Sequence, residues 1–167
     1  MKVKDGGIKD STKNKYYLYV GRIAKEKGVE LFCKAISELG YKAIIVGDGS
    51  EKRELEEKYP QIEFTGWKDK EEVIKYMEGA KALIFPSIAY ETAGLTIVEA
   101  QTIGIPCIVN SVCAGTEFVD KNSGYIFTDV EDLKEKIKKI DNKKSIDVKS
   151  DYEYNYSKKI IEYYKAI

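Results

Sequence analysis

Short apolar runs alternate along the chain with longer segments whose apolar residues recur at helical spacing. The short runs are apolar at consecutive positions rather than at every second one, which is typical of strands buried on both faces of a parallel sheet. They predict six strands, at residues 16–20, 43–46, 62–65, 82–85, 105–109 and 124–127.

The segments between these runs predict helices at 29–39, 51–58, 70–79, 116–120, 130–140 and 152–167, and one that opens at Gly94. Ser50 and Asp69 are predicted N-caps, and either Thr128 or Asp129 caps the helix that follows them, because short polar side chains accept hydrogen bonds from the first free N–H groups. Residues 1–15 are charged and aperiodic, which indicates a linker or tail.

Strands alternating with helices predict an α/β fold, in which helices cover both faces of a parallel sheet in three layers. Such sheets bind ligands at the carboxyl ends of their strands. Glycines concentrate in the loops at those ends, 21–28, 47–49, 66–69, 87–94 and 110–115. A ligand site is therefore predicted at this edge.

The segment 84–99, IFPSIAYETAGLTIVE, has the chemistry of an anion site. Gly94 at the start of a helix leaves backbone N–H groups directed at open space, which suits a phosphate. Glu91 and Glu99 flank that point, and eight residues of helix span about 12 Å. The two carboxylates could bind hydroxyls at either end of a diphosphate, as in a nucleotide-sugar, or they could be solvated charges favoured by the helix dipole.

Arg22 and Lys27 share the loop after the first predicted strand, with four residues between them. A diphosphate needs such positive charge, and so does a departing phosphate group in transfer chemistry. Two surface cations in a lysine-rich protein are the alternative interpretation.

Composition excludes several classes of protein. The 28 basic residues equal the 28 acidic ones, so nothing favours nucleic acid or an anionic membrane as a general partner. The absence of histidine excludes Ser-His-Asp and Cys-His catalysis and histidine-bearing metal sites. Cys33 and Cys107 lie in apolar runs, which indicates core residues of a reduced, cytoplasmic protein. No apolar run is long enough for a membrane span.

Seven sequence blocks carry a family resemblance. Together they resemble the donor-binding C-terminal domain of the GT-B retaining glycosyltransferases of family 4, also described as glycosyl transferases group 1. The blocks, in order, are VGRIAKEKG (20–28), VGDGSE (46–51), FTGW (64–67), FPS (85–87), ETAGLTIVEA (91–100), GIPCIV (104–109) and AGTEFV (114–119). The resemblance implies a single Rossmann-like domain over residues 16–167, the C-terminal half of a GT-B fold.

The resemblance also implies the roles of individual residues. Arg22 and Lys27 would bind the donor diphosphate and stabilise the departing nucleoside diphosphate. Glu91 would contact the sugar near its reacting carbon, and these three residues are the expected catalytic set. Glu99 would bind the ribose hydroxyls.

The remaining donor contacts come from glycines and backbone groups. N–H groups around Gly94, Leu95 and Thr96 would hold the distal phosphate, and segment 65–68 would border the base. The other expected contacts are Gly21, Gly47, Gly49 and Trp67. Gly47 and Gly49 are equally explained by a strand-to-helix turn, and for Trp67 plain packing is favoured over contact with the base.

Three departures from the family pattern affect the identity of the sugar. Thr92 and Ala93 replace a common Gly-Phe, the spacing from Ser87 to Glu91 is one residue longer, and Ala114 precedes Gly115 where a Gly-Gly is usual.

The activity that the resemblance implies is hexose transfer, of mannose or glucose, from a UDP- or GDP-sugar to a glycan or a lipid-linked acceptor, as in polysaccharide biosynthesis. No metal or other cofactor is expected. The acceptor-binding N-terminal domain would lie outside this sequence or on a partner chain, so the chain alone would be inactive. The predicted helix at 152–167 would pack towards that domain. The expected location is the cytoplasm, including the inner membrane face through contacts of the other half.

Two alternatives remain. A non-catalytic nucleotide-binding or interaction module would keep the fold without transferring sugar, although intact Arg22, Lys27, Glu91 and Glu99 argue against it. A sugar-nucleotide epimerase of similar fold is disfavoured by the absence of histidine and by the glutamate spacing.

Overall fold

In the computed structural model, the described residues are 15–89 and 94–143. Their strands are β1 (Tyr16–Val20), β2 (Ala43–Val46), β3 (Glu63–Gly66), β4 (Ala80–Phe85), β5 (Cys107–Asn110) and β6 (Gly124–Phe127). Their α-helices are α1 (Val29–Leu39), α2 (Lys52–Lys58), α3 (Lys70–Glu78), α4 (Leu95–Thr102) and α5 (Val130–Asn142). Short 3-10 helices lie at Lys25–Lys27 and Ala114–Phe118.

The six strands form one sheet in the order β3-β2-β1-β4-β5-β6, and every neighbouring pair is parallel. The predicted parallel sheet is therefore confirmed. Leu18 of β1 lies between Ile44 of β2 and Leu83 of β4 in the register. The strand order reverses between β1 and β4, and the loops at the carboxyl ends of these two strands therefore border the crevice typical of such sheets.

Helices cover both faces, which confirms the predicted three layers. Successive strand residues point to opposite faces. Tyr17 packs in the core under α1, α2 and α5, whereas the adjacent Leu18 packs under α3 and α4. Because helices cover both faces of the sheet, side chains on both sides of a strand are buried. The strands therefore need apolar residues at consecutive positions, which is the pattern that the sequence shows.

Two of the predicted helix caps are confirmed. The Asp69 side chain accepts from the Glu72 backbone N–H at 2.9 Å, and the Glu72 side chain accepts from the Asp69 N–H at 3.2 Å. Asp129, rather than Thr128, caps α5 by accepting from the Asp132 N–H at 2.9 Å.

The prediction that Ser50 caps a helix is wrong. Helix α2 begins one residue later than predicted, with Glu51 as its N-cap and no side-chain cap. A Ser50 cap would accept from the N–H of Lys52 or Arg53. The Lys52 N–H donates instead to the Gly49 carbonyl at 3.2 Å, so a backbone group of the same loop takes the place of the cap. The Glu51 N–H donates to the Ile23 carbonyl at 3.1 Å, which ties the start of α2 to the loop after β1.

Several predicted boundaries shift by one to two residues. Strand β3 is one residue later than predicted, and β4 begins at Ala80 because Ala80 already pairs with Tyr16 of β1. Strand β5 begins at Cys107 rather than at residue 105. A 3-10 helix at 114–118 replaces the helix predicted at 116–120.

All of the predicted tail at residues 1–15 except Lys15, and the predicted helix at 152–167, lie outside the described residues. Within the described ranges, no helix combines the length and the apolar character needed to cross a membrane.

At the amino-terminal edge of the sheet, an ion pair links β4 to α5. Lys81 Nζ lies 2.6 Å from Asp141 Oδ1 and 5.9 Å from the ring centroids of Tyr17 and Tyr41. The Tyr17 hydroxyl donates to the Ile137 carbonyl at 3.2 Å. Burial favours the neutral carboxyl, but the hydrogen bond and positive charge of Lys81 outweigh it and hold the pKa of Asp141 below its ordinary value.

We expect Asp141→Asn to lower the free energy of unfolding at pH 7 by about 1 kcal/mol, since the pair is partly exposed. A carboxylate whose pKa is lowered by folding stabilises the protein above its unfolded pKa, and this contribution is lost as the pH falls through the folded pKa. The difference from wild type in urea unfolding should be constant above about pH 5. Below pH 3.8, the ordinary aspartate value, it should shrink. A difference that stays constant down to pH 2 would contradict the assignment.

Candidate functional site

The loop after β1 and the loop after β4 are joined directly at the switch point. The carbonyl of Glu26 accepts two hydrogen bonds from the β4 loop. One comes from the Ile88 N–H at 3.1 Å and the other from the Ser87 hydroxyl at 3.0 Å. Ser87 is buried. The strand order thus brings the Arg22–Lys27 loop against the segment that leads into α4, two regions that are about sixty residues apart in sequence.

The loop after β5 supports the β4 loop from the other side. The Asn110 side-chain amide donates to the Pro86 carbonyl at 3.4 Å, and the Cys113 thiol donates to the Ser87 carbonyl at 3.1 Å. Asn110 and Cys113 are both buried. The β4 loop is therefore fixed between its two neighbours before it reaches the α4 N-terminus.

Gly28 lies where these two loops come closest. Its φ is +62°, and a Cβ added there would lie 2.2 Å from the Pro86 carbonyl oxygen. A side chain at this position would force the loops apart, so the contact across the switch point depends on glycine.

Gly47 and Gly49 serve a similar close approach between the loops after β2 and β1. A Cβ on Gly47 would lie 1.8 Å from the Gly21 carbonyl oxygen, and one on Gly49 would lie 2.2 Å from that of Ile23. The Ile23 N–H donates to the Asp48 carbonyl at 2.8 Å. Backbone packing alone thus accounts for both glycines, and their contact with a donor stays a prediction.

Arg22 has a fixed backbone and an exposed side chain. Its carbonyl accepts from the Tyr19 hydroxyl at 2.7 Å, while its guanidinium forms an ion pair with the Glu26 carboxylate. The Arg22 side chain is 64% exposed. Lys27 is the last residue of the 3-10 helix in the same loop. Both predicted cations therefore lie beside the switch point.

The N-terminus of α4 has no side-chain cap among the described residues. Gly94 precedes it and is buried, and a Cβ there would lie 3.0 Å from Ile97 Cδ1 and 3.4 Å from the Gly115 Cα. Leu95 and Thr96 begin the helix, and their N–H groups have no intrahelical acceptor. A helix N-terminus of this kind can accept an anion, and the phosphate contact of these residues stays a prediction.

Of the two predicted glutamates, one lies within the described residues. Glu99 lies on α4, one turn beyond its N-terminus, and its side chain is exposed to solvent. Glu91 lies outside the described residues.

Trp67 does not pack in the core, so the packing interpretation is wrong. Its side chain is 75% exposed, directly after β3. The Gly47 N–H donates to the Gly66 carbonyl at 2.9 Å, which places the β3 loop beside the β2 loop. The loops after β3, β2 and β1 thus lie side by side. They lead from Trp67 through Gly47 and Gly21 to the switch point between β1 and β4.

Cys33 lies in α1 and Cys107 begins β5, and both are buried. Burial raises the pKa of the Cys33 thiol to about 12 and also raises the pKa of Cys107, so both thiols are neutral core groups as predicted. In the part of the chain that the structure describes, no three His, Cys, Asp or Glu residues are grouped as metal ligands.

Comparison of the sequence with family models gives a match over residues 4–164 to the family described as "Glycosyl transferases group 1". A GDP-mannose-dependent alpha-mannosyltransferase of Corynebacterium glutamicum is 32% identical over 117 residues, which cover 70% of this chain and 28% of the relative. An alpha-D-kanosaminyltransferase of Streptomyces kanamyceticus is 32% identical over 106 residues, 57% of this chain and 27% of the relative. The chain thus spans under a third of the length of these relatives.

Solved structures show the same fold. Anabaena Alr3699/HepE in complex with UDP and glucose superposes with a TM-score of 0.75 at 20% identity, over 94% of this chain and 50% of that one. The catalytic domain of the Helicobacter pylori cholesterol-alpha-glucosyltransferase gives a TM-score of 0.71 at 18% identity, over 89% of this chain and 98% of that one.

Proposed function

The chain belongs to the glycosyl transferases group 1 family, and from this premise we propose that it is the nucleotide-sugar-binding half of a retaining glycosyltransferase of family 4. The observation that carries the proposal is the contact across the switch point. The carbonyl of Glu26 accepts from Ser87 and Ile88, so the loop with Arg22 and Lys27 adjoins the loop after β4. Helix α4 follows that loop and has no side-chain cap within the described part of the chain.

A diphosphate would bind between these loops. The N–H groups of Leu95 and Thr96 would donate to one phosphate, and Arg22 and Lys27 would neutralise the charge and stabilise the departing nucleoside diphosphate. We propose that these groups suffice without a metal ion.

The base would lie towards β3. Three strand spacings separate β4 from β3, about 14 Å, which is a suitable span from a diphosphate to its base. The exposed indole of Trp67 at the end of β3 offers a surface on which a base can stack. Glu99 would then bind the ribose hydroxyls, and Glu91 the sugar.

The relatives support the class of donor and the kind of reaction. One is named for GDP-mannose, and a structural neighbour was crystallised with UDP and glucose. We propose a UDP- or GDP-hexose donor, mannose or glucose, and a glycan or lipid-linked acceptor. An N-terminal domain, in the same or a partner chain, would bind the acceptor, and the present residues alone would bind donor without transferring it. The cytoplasm or its membrane face stays the expected location.

The test is calorimetric titration of the chain with UDP and GDP. We expect one of them to bind, and Glu99→Ala to weaken that binding by about ten-fold, because a carboxylate that accepts from hydroxyls contributes about 1.5 kcal/mol. The thermal midpoint should not change, since Glu99 is exposed.

Glu57→Ala on α2 is the matched control, since Glu57 is also an exposed helix carboxylate. It should leave nucleotide binding unchanged. Absence of heat with both nucleotides would refute the proposed function. Binding without transfer, once an acceptor-binding domain is supplied, would favour the non-catalytic module.

A further inference from the structure

The guanidinium of Arg22 already has an anionic partner in the free protein. The Glu26 carboxylate forms an ion pair with it, four residues further along the same loop. Glu26 itself was not among the residues that the sequence pattern indicated. A carboxylate next to a proposed diphosphate site repels the ligand. The position of Glu26 therefore calls for an explanation.

The backbone at both ends of this pair is held in place. The Glu26 carbonyl accepts from the Ser87 hydroxyl and the Ile88 N–H, and the Arg22 carbonyl accepts from the Tyr19 hydroxyl. Only side-chain rotation can separate the pair. The backbone of Glu26 therefore keeps the carboxylate within reach of Arg22.

Stability does not explain the pair. The Arg22 and Glu26 side chains are 64% and 45% exposed, and exposed pairs of this kind add little to folding. Because the pair is exposed, moving the guanidinium from Glu26 to another anion costs little free energy. A diphosphate offers more charge and more acceptor oxygens than one carboxylate, and it would compete with Glu26 for the guanidinium, whose Nη2 now donates to Glu26.

We propose that Glu26 is a positioning residue that holds Arg22 while the site is empty, yields it to the donor diphosphate, and takes it back when the nucleoside diphosphate leaves. This inference rests on the proposed function. Its consequence is that Glu26 weakens nucleotide binding and speeds product release, in contrast to the other residues of the site, which strengthen binding.

The test is Glu26→Gln, titrated with UDP and GDP beside the wild-type chain. We expect binding about five-fold tighter, because the amide is a weaker competitor than the carboxylate for the guanidinium. Stopped-flow displacement should show slower release of the nucleotide. Glu57→Gln is the matched control, because Glu57 pairs with Arg53 at the same i,i+4 spacing on α2, and it should change neither value.

An Arg22→Ala background separates competition from simple repulsion. If Glu26 acts through Arg22, the tightening by Glu26→Gln should disappear in that background. Tightening of equal size in both backgrounds, unchanged binding, or weaker binding in Glu26→Gln would each overturn the inference while leaving the proposed function intact. Absence of binding by the wild-type chain would overturn the proposed function and this inference with it.

Discussion

Gly28→Ala is expected to lower the free energy of unfolding by about 3 kcal/mol or more. The left-handed conformation at φ +62° costs an alanine about 1 kcal/mol. The larger part of the loss comes from the Cβ, which would lie 2.2 Å from the Pro86 carbonyl oxygen. Because that atom belongs to the backbone, it cannot rotate away, and the loops after β1 and β4 must separate at a cost of about 2 kcal/mol.

The matched control is Gly40→Ala, at the C-terminus of α1. Gly40 has nearly the same φ, +70°, but no atom lies within 4 Å of an added Cβ. Only the conformational cost of about 1 kcal/mol should appear in its urea unfolding curve. Equal destabilisation by the two variants would show that the contact with Pro86 is not tight, and that the two loops can part without loss.

Arg22→Ala is expected to weaken binding of the preferred nucleoside diphosphate by about 100-fold, which corresponds to the loss of about 2.7 kcal/mol of charge-assisted hydrogen bonding. Thermal stability should change little, because the side chain is 64% exposed and its ion pair with Glu26 is a surface pair. The measurement is calorimetric titration with UDP and GDP at fixed ionic strength, since the interaction is screened by salt.

Arg53→Ala is the corresponding control, since Arg53 is an exposed arginine of α2 that also pairs with a glutamate four residues later. It should bind nucleotide as wild type does. Arg22→Lys should retain part of the affinity, because an ammonium keeps the charge and loses the planar fork. Wild-type affinity in Arg22→Ala would remove Arg22 from the binding site.

The elements were largely predictable because their causes are local. The consecutive apolar residues of β1, β2 and β6 gave the observed bounds, as did the helical spacing of α1. Predictions failed where a contact distant in sequence set the boundary of an element. The clearest example is the start of β4, which lies two residues before the predicted one because Ala80 pairs with Tyr16 of β1.

The position of the predicted site residues beside the strand ends could be foreseen, and the contacts that support their loops could not. Arg22, Lys27 and Gly94 were identified from residue type and position beside the strand ends. Ser87 was noted only as part of a motif, and Asn110 went unpredicted, because both side chains bond to backbone carbonyls far away in sequence, those of Glu26 and Pro86. The ion pair of Glu26 with Arg22 is local in sequence and was not predicted. A serine buried at the end of a strand is the one local signal that could have indicated such a contact.

The sequence by itself determined the kinds of elements, the parallel sheet and the edge where charge and glycine gather, since all of these follow from local periodicity and residue chemistry. The tertiary structure alone decided the strand order, and with it the adjacency of the β1 and β4 loops. The physical reason is that a parallel strand buried on both faces looks the same wherever it lies in the sheet. Crossover connections and long-range contacts, such as those of Gly28 with Pro86 and of Ser87 with Glu26, select one order among many.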